Sequence, residues 1–391
     1  MPRSDYIVNV PGFTLKKVSG HSPVVIDLAY RKKPRCIYCD NKKLRIKHTF
    51  IRRVRHENIG LRRSYLQFKS HKFYCAKCEK YFNQRFDGIL PHARSSQKAK
   101  EQIYHLHNHG VCQKDIATDF ACGESTVERY YHELYDRENK KILKRMCPTV
   151  LGIDEHRFSK KLGFSTTFCD LRKHKVFDVA KGRSEADLRA FLNDLDGKDR
   201  VKVVCIDLSG SYRSLVKKHF PNAKIVTDRF HVIRQLIQST LDACKQIDPD
   251  MRYQRGLLSI FRTNPENLSS YKKEKRDEYF KKQPATEILY DFKQKLHTLL
   301  MNKNQTQKQC KKLIKKFLKY VKQLKESPLE ALSKLGRTLY KWRDEVVCMW
   351  RFTKTNGITE GFHRKMKLIQ RRAYGFKNFD NYRTRVRVLC S

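Results

Sequence analysis

Hydrophobic and polar positions divide this chain into segments of different period. Residues 1–93 read as short, strongly basic strands, and residues 95–145 as helices with little Gly or Pro. Residues 149–234 alternate strands and helices. Within them, three apolar runs each close on an aspartate: Thr149-Val-Leu-Gly-Ile-Asp154, Val201-Lys-Val-Val-Cys-Ile-Asp207 and Ala223-Lys-Ile-Val-Thr-Asp228. Residues 235–350 are helical and polar with no strand pattern, and residues 351–391 return to a basic helix. Pro91 and Pro148 fall near the first two of these boundaries. In the long helical segment Leu313, Ile314, Phe317, Leu318, Val321 and Leu324 recur at helical spacing. The lysines between them form either a solvated face or a surface turned to DNA. Ser327-Pro328-Leu329-Glu330 then offers a Ser cap, Pro at the first helical position and Glu three residues after the cap, so a new helix is expected there.

Charge narrows the partner. The formal net charge is +45, from 85 Lys+Arg against 40 Asp+Glu, with 24 against 6 in residues 1–100 alone. Such an excess speaks to a polyanion, and nucleic acid rewards it through counterion release. No apolar run approaches the roughly 20 residues of a spanning helix, and Met1-Pro-Arg-Ser-Asp5 lacks a secretory layout. An intracellular protein is expected, cytoplasmic and associated with the nucleoid. Length allows several domains and a core that needs no disulfides.

Of 13 cysteines, four form Cys36-Ile-Tyr-Cys39 and Cys75-Ala-Lys-Cys78. A two-residue gap lets one tight turn present two thiolates to one zinc ion, and two such turns close a zinc ribbon. His48, His56 and His71 lie between the pairs, but four cysteines already fill the shell. Arg52, Arg53, Arg55, Arg62 and Arg63 in the same stretch are candidates for phosphate contact. The segment from Gly110 to Tyr131 fits a helix-turn-helix. Ile116 and Ala117 would face inward, Gly123 would permit the turn, and Val127 would pack back. Ser125, Thr126 and Arg129 would lie on the helix that enters the major groove. A plain helical hairpin is the alternative.

The three aspartates carry the candidate chemistry. Phe164–Leu171 and Lys175–Val179 look like strands joined by the Arg172-Lys-His174 turn, and Ser184-Glu-Ala-Asp187 caps a helix. The resulting order is strand, strand, strand, helix, strand, helix, strand. In this ribonuclease H-like order the first and fourth strands are neighbours, bringing Asp154 beside Asp207. Glu360, in Thr355-Asn-Gly-Ile-Thr-Glu-Gly-Phe-His363, supplies a third carboxylate, with His363, Arg364 and Lys367 on its helical face. Three carboxylates suit Mg²⁺, and a pair of such ions promotes in-line phosphoryl transfer. Asp228 and His231 are secondary candidates, Asp228 as a fourth ligand or as a structural acid paired with Arg229 or His231. Glu155 is expected to point away.

These motifs together resemble bacterial insertion-sequence transposases of the DDE class, the ISL3 group. The matching stretches are the two Cys pairs, the helix-turn-helix, Gly152-Ile-Asp-Glu-His156, Asp207-Leu-Ser-Gly-Ser-Tyr212, Thr227-Asp-Arg-Phe-His-Val232, Asn356–Lys367 and Arg371-Arg-Ala-Tyr-Gly-Phe-Lys-Asn-Phe379. The resemblance implies a multidomain α+β protein. It has a zinc ribbon (1–93), a helix-turn-helix domain (94–147), and a ribonuclease H-like mixed α/β core (148–234 and 351–391) interrupted by an all-helical insertion (235–350). It implies a catalytic triad Asp154, Asp207 and Glu360 loaded with Mg²⁺ or Mn²⁺, and zinc on Cys36, Cys39, Cys75 and Cys78. Terminal-repeat and target DNA are the implied partners of at least a dimer, and Arg371 and Arg372 join the DNA-facing cations. Trp350 would be either a core residue or a base-stacking one. The rival readings are a DNA-binding regulator without catalysis and a structure-specific nuclease.

Overall fold

The computed structural model describes Val8 and residues 10–142, 145–352 and 356–391. Met1–Asp5 and Thr355, at the head of the last motif, lie outside the described residues. The chain divides into two compact units, residues 1–141 with 369–376, and residues 142–368 with 377–391.

The first unit holds β1 (Phe13–Ser19), β2 (Val24–Tyr30), β3 (Leu44–Arg55), β4 (Ser64–Cys75) and β5 (Lys80–Asn83). The sheet order is β1-β2-β4-β3, with β5 also paired to β4. One long strand serves two small cores. β4 buries Leu66 and Phe68 against Phe13, Val54 and Phe86, and farther along buries Phe73 and Cys75 against Cys36 and Phe82. The odd-even change means opposite faces are used. Helices α1 (Gln97–Asn108), α2 (Gln113–Asp119) and α3 (Glu124–Lys140) follow, with Ile116, Ala117 and Val127 buried among them. The turn differs from expectation. Ala121, φ 48°, is its left-handed residue, whereas Gly123 is extended at φ −70° and caps α3. Cys122 N donates to Ala117 O at 2.9 Å and Ala121 N to Thr118 O at 3.2 Å, the paired bonds that close a helix over a left-handed residue.

The second unit is built on β6 (Val150–Ser159), β7 (Gly163–Asp170), β8 (Lys175–Lys181), β9 (Val203–Ile206) and β10 (Lys224–Thr227), in the order β10-β9-β6-β7-β8. β6, β7 and β8 form an antiparallel meander, while β9 and β10 run parallel to β6. The first strand therefore lies beside the fourth. Its helices are α4 (Glu185–Asn193), α5 (Gly210–His219), α6 (Arg229–Ile247), α7 (Arg255–Arg262), α8 (Ser270–Lys282), α9 (Pro284–Met301), α10 (Gln307–Lys325), α11 (Glu330–Lys341), α12 (Arg343–Arg351), α13 (Gly357–Arg372, of which residues 369–372 belong to the first unit) and α14 (Phe379–Leu389). Ser184 and Asp187 close a reciprocal capping box on α4. α11 starts at Glu330, later than the Ser-Pro-x-Glu pattern suggests. Ser327 Oγ is spent on Leu329 N at 3.3 Å, so it shapes the preceding turn instead.

One apolar core joins sheet residues such as Ile153, Val204 and Val226 to Leu296, Phe317 and Trp350 of the later helices. Trp350 is fully buried with Phe317 edge-on at 6.0 Å, which makes it a core residue. A satellite cluster gathers Leu241, Met251, Phe261, Phe280 and Tyr290.

Candidate functional site

Strand register lines up the aspartates. Gly152 pairs with Cys205 across β6 and β9, and Ile206 pairs with Thr227 across β9 and β10. Counting on from those pairs sets Asp154, Asp207 and Asp228 at one level on three adjacent strands. The expected strand end at Asp154 is displaced: β6 continues to Ser159, because β7 pairs with it as far as Gly163. Asp154 leaves the β9 pairing but stays in the meander. Glu155 takes the other face, 3.3 Å from Arg183.

The start of α13 closes over this row. Asn356 N donates to Asp228 Oδ1 at 3.3 Å, and Asn356 Nδ2 to Ile153 O at 3.1 Å. Only glycine fits beneath it: a Cβ on Gly152 would lie 2.7 Å from Asn356 Oδ1 and from Leu171 Cδ2. Two turns on, His363 Nδ1 is 3.7 Å from Asp154 Oδ2, and its Nε2 is 3.1 Å from Thr167 Oγ1. Beneath it, buried His156 meets Thr167 Oγ1 at 3.1 Å and Tyr382 OH at 2.8 Å. Burial, helped by the charge of Lys367, lowers His363 to about 4. Burial, and then His363, lowers His156 to about 3.

Glu360 occupies the first turn of α13, between Asn356 and His363. Its side chain faces outward and pairs with Arg364 Nη2 at 3.2 Å, both exposed. Lys367 is also exposed, whereas Thr359 and Met366 are buried. His363 lies at the edge of this face and turns towards Asp154, while Glu360, Arg364 and Lys367 are turned to solvent.

Electrostatics mark the row as over-anionic. Burial, followed by the charge of Asp207, raises Asp154 to about 7. His231 Nδ1 sits 2.9 Å from Asp207 Oδ1 and 2.8 Å from Asp228 Oδ2. Those two carboxylates raise it to about 10, Asp207 contributing most. One imidazolium nitrogen is therefore shared between two carboxylates, hydrogen-bonded to Asp228 Oδ2 and ion-paired with Asp207 Oδ1. Two carboxylates held together by a single imidazolium fit a place that a hard cation can take. Asp207, Asp228 and His231 bring ligand atoms within 4.8 Å of one another. Asn356 and His363 support the row and were not assigned such a role from sequence; their contacts cross about 200 residues of chain.

The cysteine pairs converge. Cys36 and Cys78 Sγ are 3.5 Å apart, and Cys39 and Cys75 Sγ 3.6 Å, all four being free thiols. A tetrahedron with Zn–S bonds of about 2.3 Å has edges of about 3.8 Å, so the group can hold zinc. Cys75 falls to about 6, because hydrogen bonds from Cys78 N, the Asn41 amide and Lys77 N outweigh its burial. Burial and the neighbouring sulfurs lift Cys78 to about 12. Without a cation the four cannot all ionise.

Of the five candidate arginines between the pairs, three hold the first unit together. Arg63 Nη2 donates to Thr118 O at 2.8 Å, Arg55 Nη2 to Ala121 O at 2.7 Å, and Arg52 Nη2 to Ala93 O at 3.1 Å. Arg53 stacks on Tyr65 at 4.4 Å, and Arg62 is exposed without a side-chain partner among the described residues. On α3, Ser125 and Arg129 are exposed and Thr126 is half-buried; Arg371 and Arg372 are exposed. No described helix is long and apolar enough to cross a membrane.

Comparison with known proteins identifies the family. The family model for ISL3-type DDE proteins, described as "Transposase", matches residues 151–386, the stretch that carries the aspartate row and α13. The chain is 23% identical over 368 residues to the transposase for insertion sequence element IS1001 of Bordetella parapertussis, covering 90% of this chain and 88% of that protein. With more than half its length matched by that model, the chain belongs to the ISL3 family of DDE transposases.

Proposed function

We propose that this transposase binds the terminal repeats of its element and performs metal-dependent DNA cleavage and strand transfer, with Asp154, Asp207 and Glu360 as its catalytic carboxylates. The second sheet is read as a ribonuclease H-like core, the helical segment 235–350 as its insertion, and the first unit as zinc ribbon and helix-turn-helix. The observation that carries the proposal is the in-register aspartate row, in which Asp207 and Asp228 share one imidazolium, capped by the helix that bears Glu360. When bound, Mg²⁺ or Mn²⁺ would activate the attacking oxygen and stabilise the leaving one.

The residues divide the remaining work. Asp154 and Asp207 would hold the ion from the sheet. Glu360 would complete the set by exchanging Arg364 for it. Asp228 and His231 position Asp207: the imidazolium offsets the row's charge in the metal-free protein. His363, neutral at physiological pH, packs against Asp154 without adding a competing cation. Arg364 and Lys367 then face the DNA backbone. The first unit would supply end recognition through Arg53, Arg62, Ser125, Thr126 and Arg129. Because two ends must be joined, at least a dimer is expected on DNA, acting in the cytoplasm at the nucleoid.

The test is purified protein with Mg²⁺ and a labelled duplex carrying candidate ends. Asp207→Asn is expected to lose cleavage by about two to three orders of magnitude, as when a charge-stabilising group is removed, while keeping end binding. Equal cleavage by the variant rejects the assignment. Binding without any metal-dependent nicking would favour a regulator, and cleavage without joining a nuclease.

A further inference from the structure

Helix α10 carries a cation array that the proposed chemistry does not use. Its 19 residues, Gln307–Lys325, contain eight lysines and no acid. At 100° per residue, Lys308, Lys311, Lys312, Lys315, Lys319 and Lys322 fall on a single stripe, and all six are exposed. Among the described residues only Lys322 of the six has an acidic neighbour, Glu326 at 3.8 Å. Lysines three and four residues apart repel and weaken a helix. A sequence needing only a solvated face would intersperse glutamates, as α8 does in Ser-Tyr-Lys-Lys-Glu-Lys-Arg-Asp-Glu.

The opposite face is already committed. Cys310, Phe317, Val321 and Leu324 are buried in the core that the sheet shares, and Thr306 with Gln309 closes a capping box at the start. The stripe is therefore preformed, held by the same core as the aspartate row, and needs little ordering to bind. It has no free apolar face to enter a bilayer. At its margin it carries only Leu318, 38% exposed, and no aromatic of the kind that anchors a protein interface. Its length, about 21 Å at a helical rise of 1.5 Å, spans about a dozen duplex phosphates at one charge per 1.7 Å.

We propose that this lysine stripe is a sequence-independent docking surface for the sugar–phosphate backbone of duplex DNA. The inference rests on DNA being the partner of this transposase, but not on which carboxylates cut it.

The full-length, zinc-loaded protein is titrated with a random-sequence duplex lacking any terminal repeat, across a salt series. The combined variant Lys308→Gln, Lys311→Gln, Lys315→Gln and Lys319→Gln should weaken binding more than tenfold. The slope of log K against log salt should flatten by about 3–4, near 0.9 per lost phosphate contact. The same four positions changed to Arg should keep the slope, which guards against a folding defect. Lys273→Gln, Lys275→Gln, Lys281→Gln and Lys282→Gln on α8 remove equal charge and should change it by less than about one. An unchanged slope in the α10 variant, or an equal loss in the α8 control, overturns the proposal. So does lost binding to anionic phospholipid vesicles with DNA binding intact, which would assign the stripe to a lipid surface. Cleavage at element ends is scored separately. Its absence from parent and variant alike, with the slope still flattened by the α10 changes, would count against the transposase chemistry and leave the docking surface standing.

Discussion

At the residue scale, two small groups decide more than their size suggests. Gly152 is needed for contact, because Asn356 and Leu171 leave its side no room for a methyl group. Gly152→Ala is expected to cost about 1–3 kcal/mol, as overpacked sites do, and to dislodge Asn356 from Ile153 O and Asp228. Denaturant unfolding reads the first effect. End cleavage measured at a temperature where the variant stays folded reads the second, and full activity there would separate the helix start from the chemistry. His56 in the first unit is buried, with Nδ1 2.9 Å from Ser96 Oγ and Nε2 3.1 Å from Val8 O. Burial lowers it to about 4, against 6.5 for the free group. The unfolded chain therefore takes up this proton first as pH falls. Stability is full above about 6.5 and drains away towards 4, by up to about 3 kcal/mol. Unfolding curves of the parent should move further between pH 7 and pH 5 than those of His56→Asn, which has no such proton to take up. Subtracting the two removes the acid sensitivity of the cysteine cluster. Parallel curves would show that His56 does not titrate in this range.

At the scale of elements, the strands bearing aspartates were legible because each is a short apolar run whose polarity changes abruptly at the carboxylate. Pairing register then did the rest. The capping box of α4 and the convergence of the cysteine pairs were legible for the same reason, since each is a local pattern with one geometric outcome. Distant partners were not legible. The extension of β6 past Asp154 depends on β7, and the outward turn of Glu360 depends on which side of α13 meets the sheet. Arg55 and Arg63, grouped with the phosphate-facing cations, bond instead to carbonyls at the end of α2, and nothing adjacent in sequence announces that. The β4–β5 hairpin shows what such local patterns must supply. Around its cysteines only Phe73 and Phe82 add large buried apolar surface, with Cys36 and Cys75 completing the cluster, too little to hold a fold unaided. Cys75→Ser should therefore lose stoichiometric zinc by metal analysis, expose residues 72–83 to protease and weaken end binding. The β6–β10 sheet should remain folded, since its core is separate. Zinc retained at one equivalent would remove Cys75 from the ligand set.

For the whole molecule, the formal charge of +45 is a term in stability as well as in recognition. Many like charges on one compact chain repel, and folding concentrates them. Many of the ion pairs that oppose this have an exposed partner, and the fully exposed ones, such as Arg35–Asp40 and Lys322–Glu326, each contribute little. Salt weakens both effects, but 85 cations against 40 acids leave far more repulsion than attraction to screen. Screening reaches across about 30 Å at 0.01 M salt and only about 8 Å at 0.15 M. The melting temperature should therefore rise with NaCl over that range, the reverse of a protein held by surface ion pairs. Duplex DNA at low salt should raise it further, because a ligand that prefers the folded array stabilises it by mass action. That second increment should shrink as salt is added, since bound phosphates and free ions compete for the same lysines and arginines. A thermal-shift series in NaCl, with and without random-sequence duplex, measures both. A melting temperature that falls steadily with salt would mean that the exposed pairs outweigh the repulsion. The basic surface would then be internally compensated and would not depend on a nucleic acid to neutralise it.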